Sequence, residues 1–209
     1  MMEPEMQVAI AREEVCRYLA ACYYEPEAAF EEEGLFDSLV GAAQRLDEGL
    51  VPGARRLAEQ FRTTPVETLL LDHTRLFLGP TEILAKPYGS VWLDEEKTLM
   101  GQSTMALLEI FGEADFEMNE EFKELPDHVA VELEFLYLLT FRENEAALAG
   151  DSDGMAQTRD IRERFLAGHL ARWVPPFTDA VLAHAQTPFY RELAALTRLF
   201  LAMELARGR

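Results

Sequence analysis

Apolar side chains recur at three- and four-residue intervals along almost the whole chain, and that period confines the fold to packed helices more firmly than any other feature of the sequence. Between Met6 and Tyr24 they fall at Val8, Ala11, Val15, Tyr18, Leu19, Cys22 and Tyr23, and Pro26 limits the helix. A second face, Leu35, Phe36, Leu39, Val40, Ala43 and Leu46, runs to Gly49 and a break at Val51-Pro52-Gly53, after which a short helix carries Leu57 and Phe61. Thr64-Pro65-Val66-Glu67 reads as a capping box with proline at the first helical position. The helix it opens bears Val66, Leu69, Leu70, His73, Leu76 and Phe77 and stops at Gly79-Pro80. Residues 81–93 show no helical period and read as an ordered loop, a length at which loops are often functional.

A further helix is expected from Gly101 to Phe111, followed by an acidic, irregular stretch from Glu113 to Leu125. Pro126 or Asp127 then opens a helix through Leu148 whose middle, Leu133 to Phe141, is apolar on nearly every side, as befits a central buried helix. Helices from about Asp153 to Trp173, Phe177 to Gln186 and Thr187-Pro188 to Ala206 complete the chain. Nothing alternates like a strand, and no repeat or low-complexity tract interrupts the pattern. The expected fold class is all-α: a single helical domain over residues 1–209, about nine to eleven helices around a buried central one, with a hinge at 113–125.

With 209 residues and 49% hydrophobic content the chain can build a substantial core. Its 38 acidic residues against 19 basic ones leave a formal charge of −19, which argues against nucleic acid as a partner, because phosphate binding needs Lys and Arg to displace counterions. Excess surface carboxylates keep a protein soluble and also suit a basic partner. Cys16 and Cys22, six residues apart, point about 120° from each other on a helix, so neither a disulfide nor a shared metal is expected. The start, Met1-Met2-Glu3-Pro4-Glu5, is acidic where a secretory signal is basic, and no apolar stretch approaches the ~18 residues of a membrane span. The expectation is a cytoplasmic protein without stable membrane insertion.

Motif-based catalysis is absent. A di-iron bundle needs Glu three residues before His, and His73, His128, His169 and His184 lack it. There is no phosphate loop, no Gly-x-Gly-x-x-Gly and no Gly-x-Ser-x-Gly elbow. Asp72-His73 and Asp127-His128 are adjacent pairs, and neighbours on a helix point about 100° apart, so each member is expected to serve different partners. No catalytic residue, cofactor or metal is expected.

Arg75-Leu76-Phe77-Leu78-Gly79-Pro80, Lys86-Pro87-Tyr88-Gly89-Ser90-Val91-Trp92-Leu93-Asp94 and Gly101-Gln102-Ser103-Thr104 together resemble the middle of TorD/DmsD-family redox-enzyme maturation proteins. Glu124-Leu125-Pro126-Asp127-His128 is similar to that family's Glu-x-Pro-Asp-His signature, Tyr23-Tyr24-Glu25-Pro26 to its N-terminal pattern, and Phe165 to Trp173 with Phe189-Tyr190 to its last helices. The loop from Pro87 to Thr104 looks most like the DmsD branch and the Pro-Asp-His helix more like TorD. The resemblance implies a helical chaperone, not an enzyme. Its client would be the twin-arginine leader, and also the folded body, of a molybdopterin oxidoreductase subunit whose export it delays until cofactor insertion.

By that resemblance His73, Leu76 and Phe77 form part of a groove wall. Pro87, Tyr88 and Trp92 cover it, Gly101 allows close backbone approach, and Glu124, Asp127 and His128 sit at its edge, with Asp127 able to accept an arginine donor or to cap the helix. Periodicity alone reads Leu76 and Phe77 as ordinary core. The alternatives are a nitrate-reductase-type assembly chaperone for a client N-terminus lacking the two arginines, and a helical oligomer without a peptide groove. The family resemblance also allows either a monomer or a helix-swapped dimer.

Overall fold

In the computed structural model, which describes residues 4–79, 82–96, 99–118 and 124–207, the periodic segments form helices in the expected order. Helix α1 (Pro4–Cys22) turns Ala11, Val15, Cys16 and Leu19 inward and packs on α3 (Leu35–Leu46) and α8 (Val129–Ala149). Along α8, Val129 to Leu133, Phe135, Leu136 and Leu139 are all buried, so the helix without a polar face is the one at the centre. α9 (Ser152–Phe165) packs on its other side, and α4 (Val51–Thr63), α10 (Ala171–His184) and α11 (Pro188–Arg207) close the second half of the core. The short elements are α2 (Ala29–Glu32), α5 (Val66–His73), α6 (Gly89–Leu93) and α7 (Gln102–Glu113).

One continuous hydrophobic cluster runs from Ala11 to Leu201, and Cys16 and Cys22 lie in it as free thiols. Among the described residues there is no strand, and no helix is long and apolar enough to cross a membrane. The all-α, single-domain expectation holds.

Local expectations are corrected in several places. Val51-Pro52-Gly53 is the first turn of α4, where a proline costs no hydrogen bond because the first helical amides have no partner. Thr64 ends α4 and Pro65 is the N-cap of α5, so no capping box forms; two residues between helices leave no room for Thr64 to cap the second. Part of the 81–93 loop is helical as α6. His128, not Asp127, caps α8: its Nδ1 accepts the Ala130 amide at 3.2 Å.

Pro175 and Pro176 lie inside α10 and do not break it. Two interior prolines cost about 3 kcal/mol each, whereas the helix buries Trp173, Val174, Phe177 and Val181, at about 1.5 to 3 kcal/mol per large side chain. One-turn π-helical segments, Thr74–Leu78 and Leu166–Leu170, extend α5 and α9. Gly79 closes the first with a left-handed φ of 61°. After α7, Phe116 meets Phe111 edge to face at 4.7 Å and Phe135 at a tilt at 5.1 Å, so the expected hinge is anchored at its start. Met1–Glu3, Pro80 and residues 119–123 of that hinge lie outside the described residues.

Candidate functional site

Segment 87–89 pairs with segment 127–129, and this pairing builds the site. Gly89 donates its amide to the Asp127 carbonyl and Val129 donates to the Pro87 carbonyl, both at 2.8 Å, which leaves Tyr88 facing His128 across an isolated antiparallel bridge. On the outer side the Tyr88 ring meets His128 edge to face at 5.4 Å, and Tyr24, just beyond α1, stacks on the same imidazole at 6.1 Å and 11°. Two carboxylates flank the three rings. The Tyr24 hydroxyl donates to Glu134 at 3.0 Å and the Tyr88 hydroxyl to Glu124 at 3.5 Å.

Burial and these carboxylates raise both phenols, Tyr88 to about 12, so each stays a donor. Burial raises Glu134 as well, partly offset by the Tyr24 hydroxyl. Burial, with His73 nearby, drives His128 from 6.5 to about 3, consistent with an Nδ1 that must be unprotonated to cap α8. The surface presents half-buried aromatic rings edged by acid, a chemistry suited to guanidinium groups, which stack on aromatic faces and bond carboxylates in plane.

Behind the bridge lies a buried polar layer. Asp127, with no exposed surface, accepts the Ser90 amide at 2.9 Å and the Thr104 hydroxyl at 3.1 Å through Oδ2, while Oδ1 has no protein partner. Glu132, one turn into α8, accepts Trp173 Nε1 at 3.0 Å and His169 Nε2 at 2.8 Å. The α9 extension Leu166–Leu170 brings His169 to that carboxylate, and α10 brings Trp173.

Tyr88, Glu124, Asp127 and His128 are therefore gathered, as the family resemblance implied, with Pro87 buried next to Tyr88 in the chain and Trp92 tied to the Lys86 carbonyl at 2.8 Å. His73 is buried behind them, its Nε2 on the Tyr23 carbonyl at 3.3 Å, and burial lowers its pKa. Leu76 and Phe77 are corrected: they are core. Phe77 packs among Tyr23, Phe177 and Tyr190 at 5.5 to 6.2 Å, so neither side chain lines an open groove here. At Gly101 the close neighbour is the chain's own Asp94: a Cβ there would strike the Asp94 carboxylate that accepts the Ser103 amide at 3.1 Å.

The adjacent acid–histidine pairs do serve different partners, Asp72 the start of α11 and His73 the end of α1. As site residues Glu132, Glu134 and His169 went unrecognised, and Tyr24 and Trp173 entered only through the family pattern. Glu132 and Glu134 within the apolar first half of α8 were the signal. Among the described residues no group of three or more His, Cys, Asp or Glu side chains is placed to hold a metal ion.

Residues 43–179 match the family described as nitrate reductase delta subunit. The Tat proofreading chaperone DmsD of Salmonella typhi is 35% identical over 191 residues, 89% of this chain and 85% of that protein. This chain belongs to the TorD/DmsD family of redox-enzyme maturation proteins. Chaperone protein TorD of Vibrio atlanticus is 27% identical over 168 residues, 80% of this chain and 71% of that protein. A redox enzyme maturation protein from Archaeoglobus fulgidus shares the fold, with a TM-score of 0.57 over 91% of this chain and 93% of the other at 20% identity. The family match includes Tyr88, Glu124, Asp127 and His128, whereas Tyr24 lies before it.

Proposed function

We propose that this TorD/DmsD-family protein is a cytoplasmic proofreading chaperone, not an enzyme, that binds the twin-arginine leader of a molybdopterin oxidoreductase subunit. In this role it delays export of the subunit until its cofactor is inserted and its body is folded. The observation that carries the reading is the Tyr24–His128–Tyr88 stack edged by Glu124 and Glu134. Two carboxylates and two phenol faces can receive two guanidinium groups. Exposed pairs of this kind contribute roughly 0.2 to 1 kcal/mol each, so the apolar stretch that follows the arginines supplies most of the affinity, about 1.5 to 3 kcal/mol per large side chain fully buried. In this reading the half-buried Trp92 and the Gly101 backbone receive that stretch, and the buried Pro87 supports Tyr88. Asp127, with His73, Leu76 and Phe77, supports the rim from behind.

Calorimetric titration with a synthetic leader tests this. Micromolar affinity, on the order of −8 kcal/mol, is expected, with association slowed by salt because the −19 charge steers the basic peptide. Glu124→Gln should weaken binding by up to about fivefold, and Tyr88→Ala, which also removes a ring face, by about tenfold. Absence of binding by every molybdoenzyme leader of the source organism would sink the reading. A peptide whose two arginines are replaced by alanine and which binds equally well would favour the second reading, an assembly chaperone for a client N-terminus without arginines, to which the nitrate reductase delta subunit match points.

A further inference from the structure

A carboxylate fully buried in the first turn of an otherwise apolar stretch of helix is costly unless donors surround it, and Glu132 draws its donors from two other elements. His169 in the π-helical turn donates to Oε1, and Trp173 in α10 donates to Oε2. The third side of this cluster is covered by Gly89. A Cβ on Gly89 would lie 3.1 Å from Glu132 Oε1, 3.1 Å from Trp173 Nε1 and 3.3 Å from His169 Nε2, so the backbone that carries Tyr88 rests directly on the carboxylate and its two donors.

We infer that Glu132 is a positioning residue for the leader site, holding the Tyr88–His128 rim at its working height through Gly89. The inference rests on the leader-binding reading above. The chain of contacts is short: Gly89 sits on Glu132, its amide bonds the Asp127 carbonyl, the next amide, of Ser90, bonds the Asp127 carboxylate, and Tyr88 and His128 are the residues immediately before and after this pairing. If the cluster relaxes, the segment sinks or lifts and the rings separate.

The cluster carries a pH dependence of its own. The ionisable and polar groups that face Glu132 are His169, Trp173 and, at longer range, Asp127 before α8, while Arg172 acts on His169. Burial lowers the His169 pKa, but the Glu132 carboxylate more than offsets it, and the net direction is upward. His73 and His128 are both depressed, so they are already neutral where His169 titrates. A raised histidine pKa means that the stabilising pair is complete at lower pH and is lost as pH rises through it. Burial raises the Glu132 pKa as well, against the opposing pull of His169 and Trp173, and above the His169 transition Glu132 keeps its two donors but loses the positive charge beside it.

The test compares the full-length parent with Glu132→Gln, Trp173→Phe and Gly89→Ala, all measured well below their melting temperatures. Glutamine keeps the shape and an acceptor while losing the charge, phenylalanine keeps the ring but removes one donor, and alanine presses on the cluster from the other side. Each should raise the leader Kd on the order of tenfold and speed hydrogen exchange at the Gly89 and Ser90 amides, with exchange in α4 and α11 unchanged. The parent should lose affinity as pH rises through the His169 transition, and Glu132→Gln should not. Variants that keep the parent's leader affinity, pH profile and exchange at Gly89 and Ser90 would overturn the inference while leaving the leader-binding reading intact. A parent that binds no leader would defeat that reading instead, and the exchange rates at Gly89 and Ser90 would still decide whether Glu132 holds the segment.

Discussion

Asp127 and His128 are neighbours in sequence and divide two tasks between them. Asp127 is an internal acceptor that fastens α6 and α7 to the start of α8, so Asp127→Ala leaves the Ser90 amide and the Thr104 hydroxyl without their partner inside the protein. Each such loss costs about 1 to 3 kcal/mol. The variant should lose roughly 2 to 6 kcal/mol in denaturant unfolding; an unchanged midpoint would show that water replaces the carboxylate. His128 is neutral and buried with its pKa lowered from 6.5 to about 3. The sign follows from linkage: a depressed histidine contributes stability that is fully present above its unfolded pKa and is lost as pH falls toward its folded one. His128→Asn keeps a capping acceptor and removes the titration. The stability of the parent should therefore fall more steeply than that of His128→Asn between about pH 6.5 and pH 3, with a difference of up to about 4 kcal/mol at the acid end. Parallel curves would mean that His128 charges freely in the folded state.

Among the elements, the two π-helical turns matter most for the site. Each adds a residue to a helix and turns the following segment by about 100° relative to a regular helix. The Leu166–Leu170 turn thereby lets both His169 and Trp173 reach Glu132 from one continuous stretch of chain. Gly168 within it has no neighbour that a Cβ would meet within 4 Å and no left-handed φ. Gly168→Ala should raise stability by about 0.5 to 1 kcal/mol, since glycine in a helix loses the most backbone entropy on folding. Deleting Gly168 should instead misplace His169 or Trp173 and lower the melting temperature, and a deletion variant that melts with the parent would show the turn to be incidental. Helix α10 adds the complementary lesson: its prolines carry a strong local preference, and the buried face from Trp173 to Val181 overrides it.

Across the whole molecule, the first and last helices are joined by a buried charge network. Arg12 of α1 bonds Glu204 of α11 through Nε at 3.0 Å and Nη2 at 2.6 Å, and Arg162 of α9 bonds Glu143 of α8 at 2.9 Å and lies 4.0 Å from Glu204. Glu204 and Arg162 are almost fully buried, which makes the network costly to break. Glu204→Gln should destabilise the fold by about 3 kcal/mol by leaving the largely buried Arg12 guanidinium without its bonded carboxylate. Chemical denaturation with a single shared transition for α1 and α11 is the expected readout. Separate transitions would show that the network does not couple the chain ends.

The sequence by itself determined the helical class, the central position of α8 and the acidity of the surface, because hydrophobic period and net charge are properties of the chain that packing cannot alter. The resemblance of its motifs to the TorD/DmsD family also marked Tyr88, Glu124, Asp127 and His128. Only the tertiary structure decided what each apolar or polar face meets. Leu76 and Phe77 have the same spacing whether they face a groove or a core, and the neighbouring Tyr23, Phe177 and Tyr190 make it the core. Tyr24 reaches Glu134 across 110 positions of sequence, and Glu132 finds His169 and Trp173 at separations of 37 and 41. Hydrogen bonds and ring contacts act through space over a few ångströms. Their partners are set by how the helices pack, and no local period in the chain encodes that.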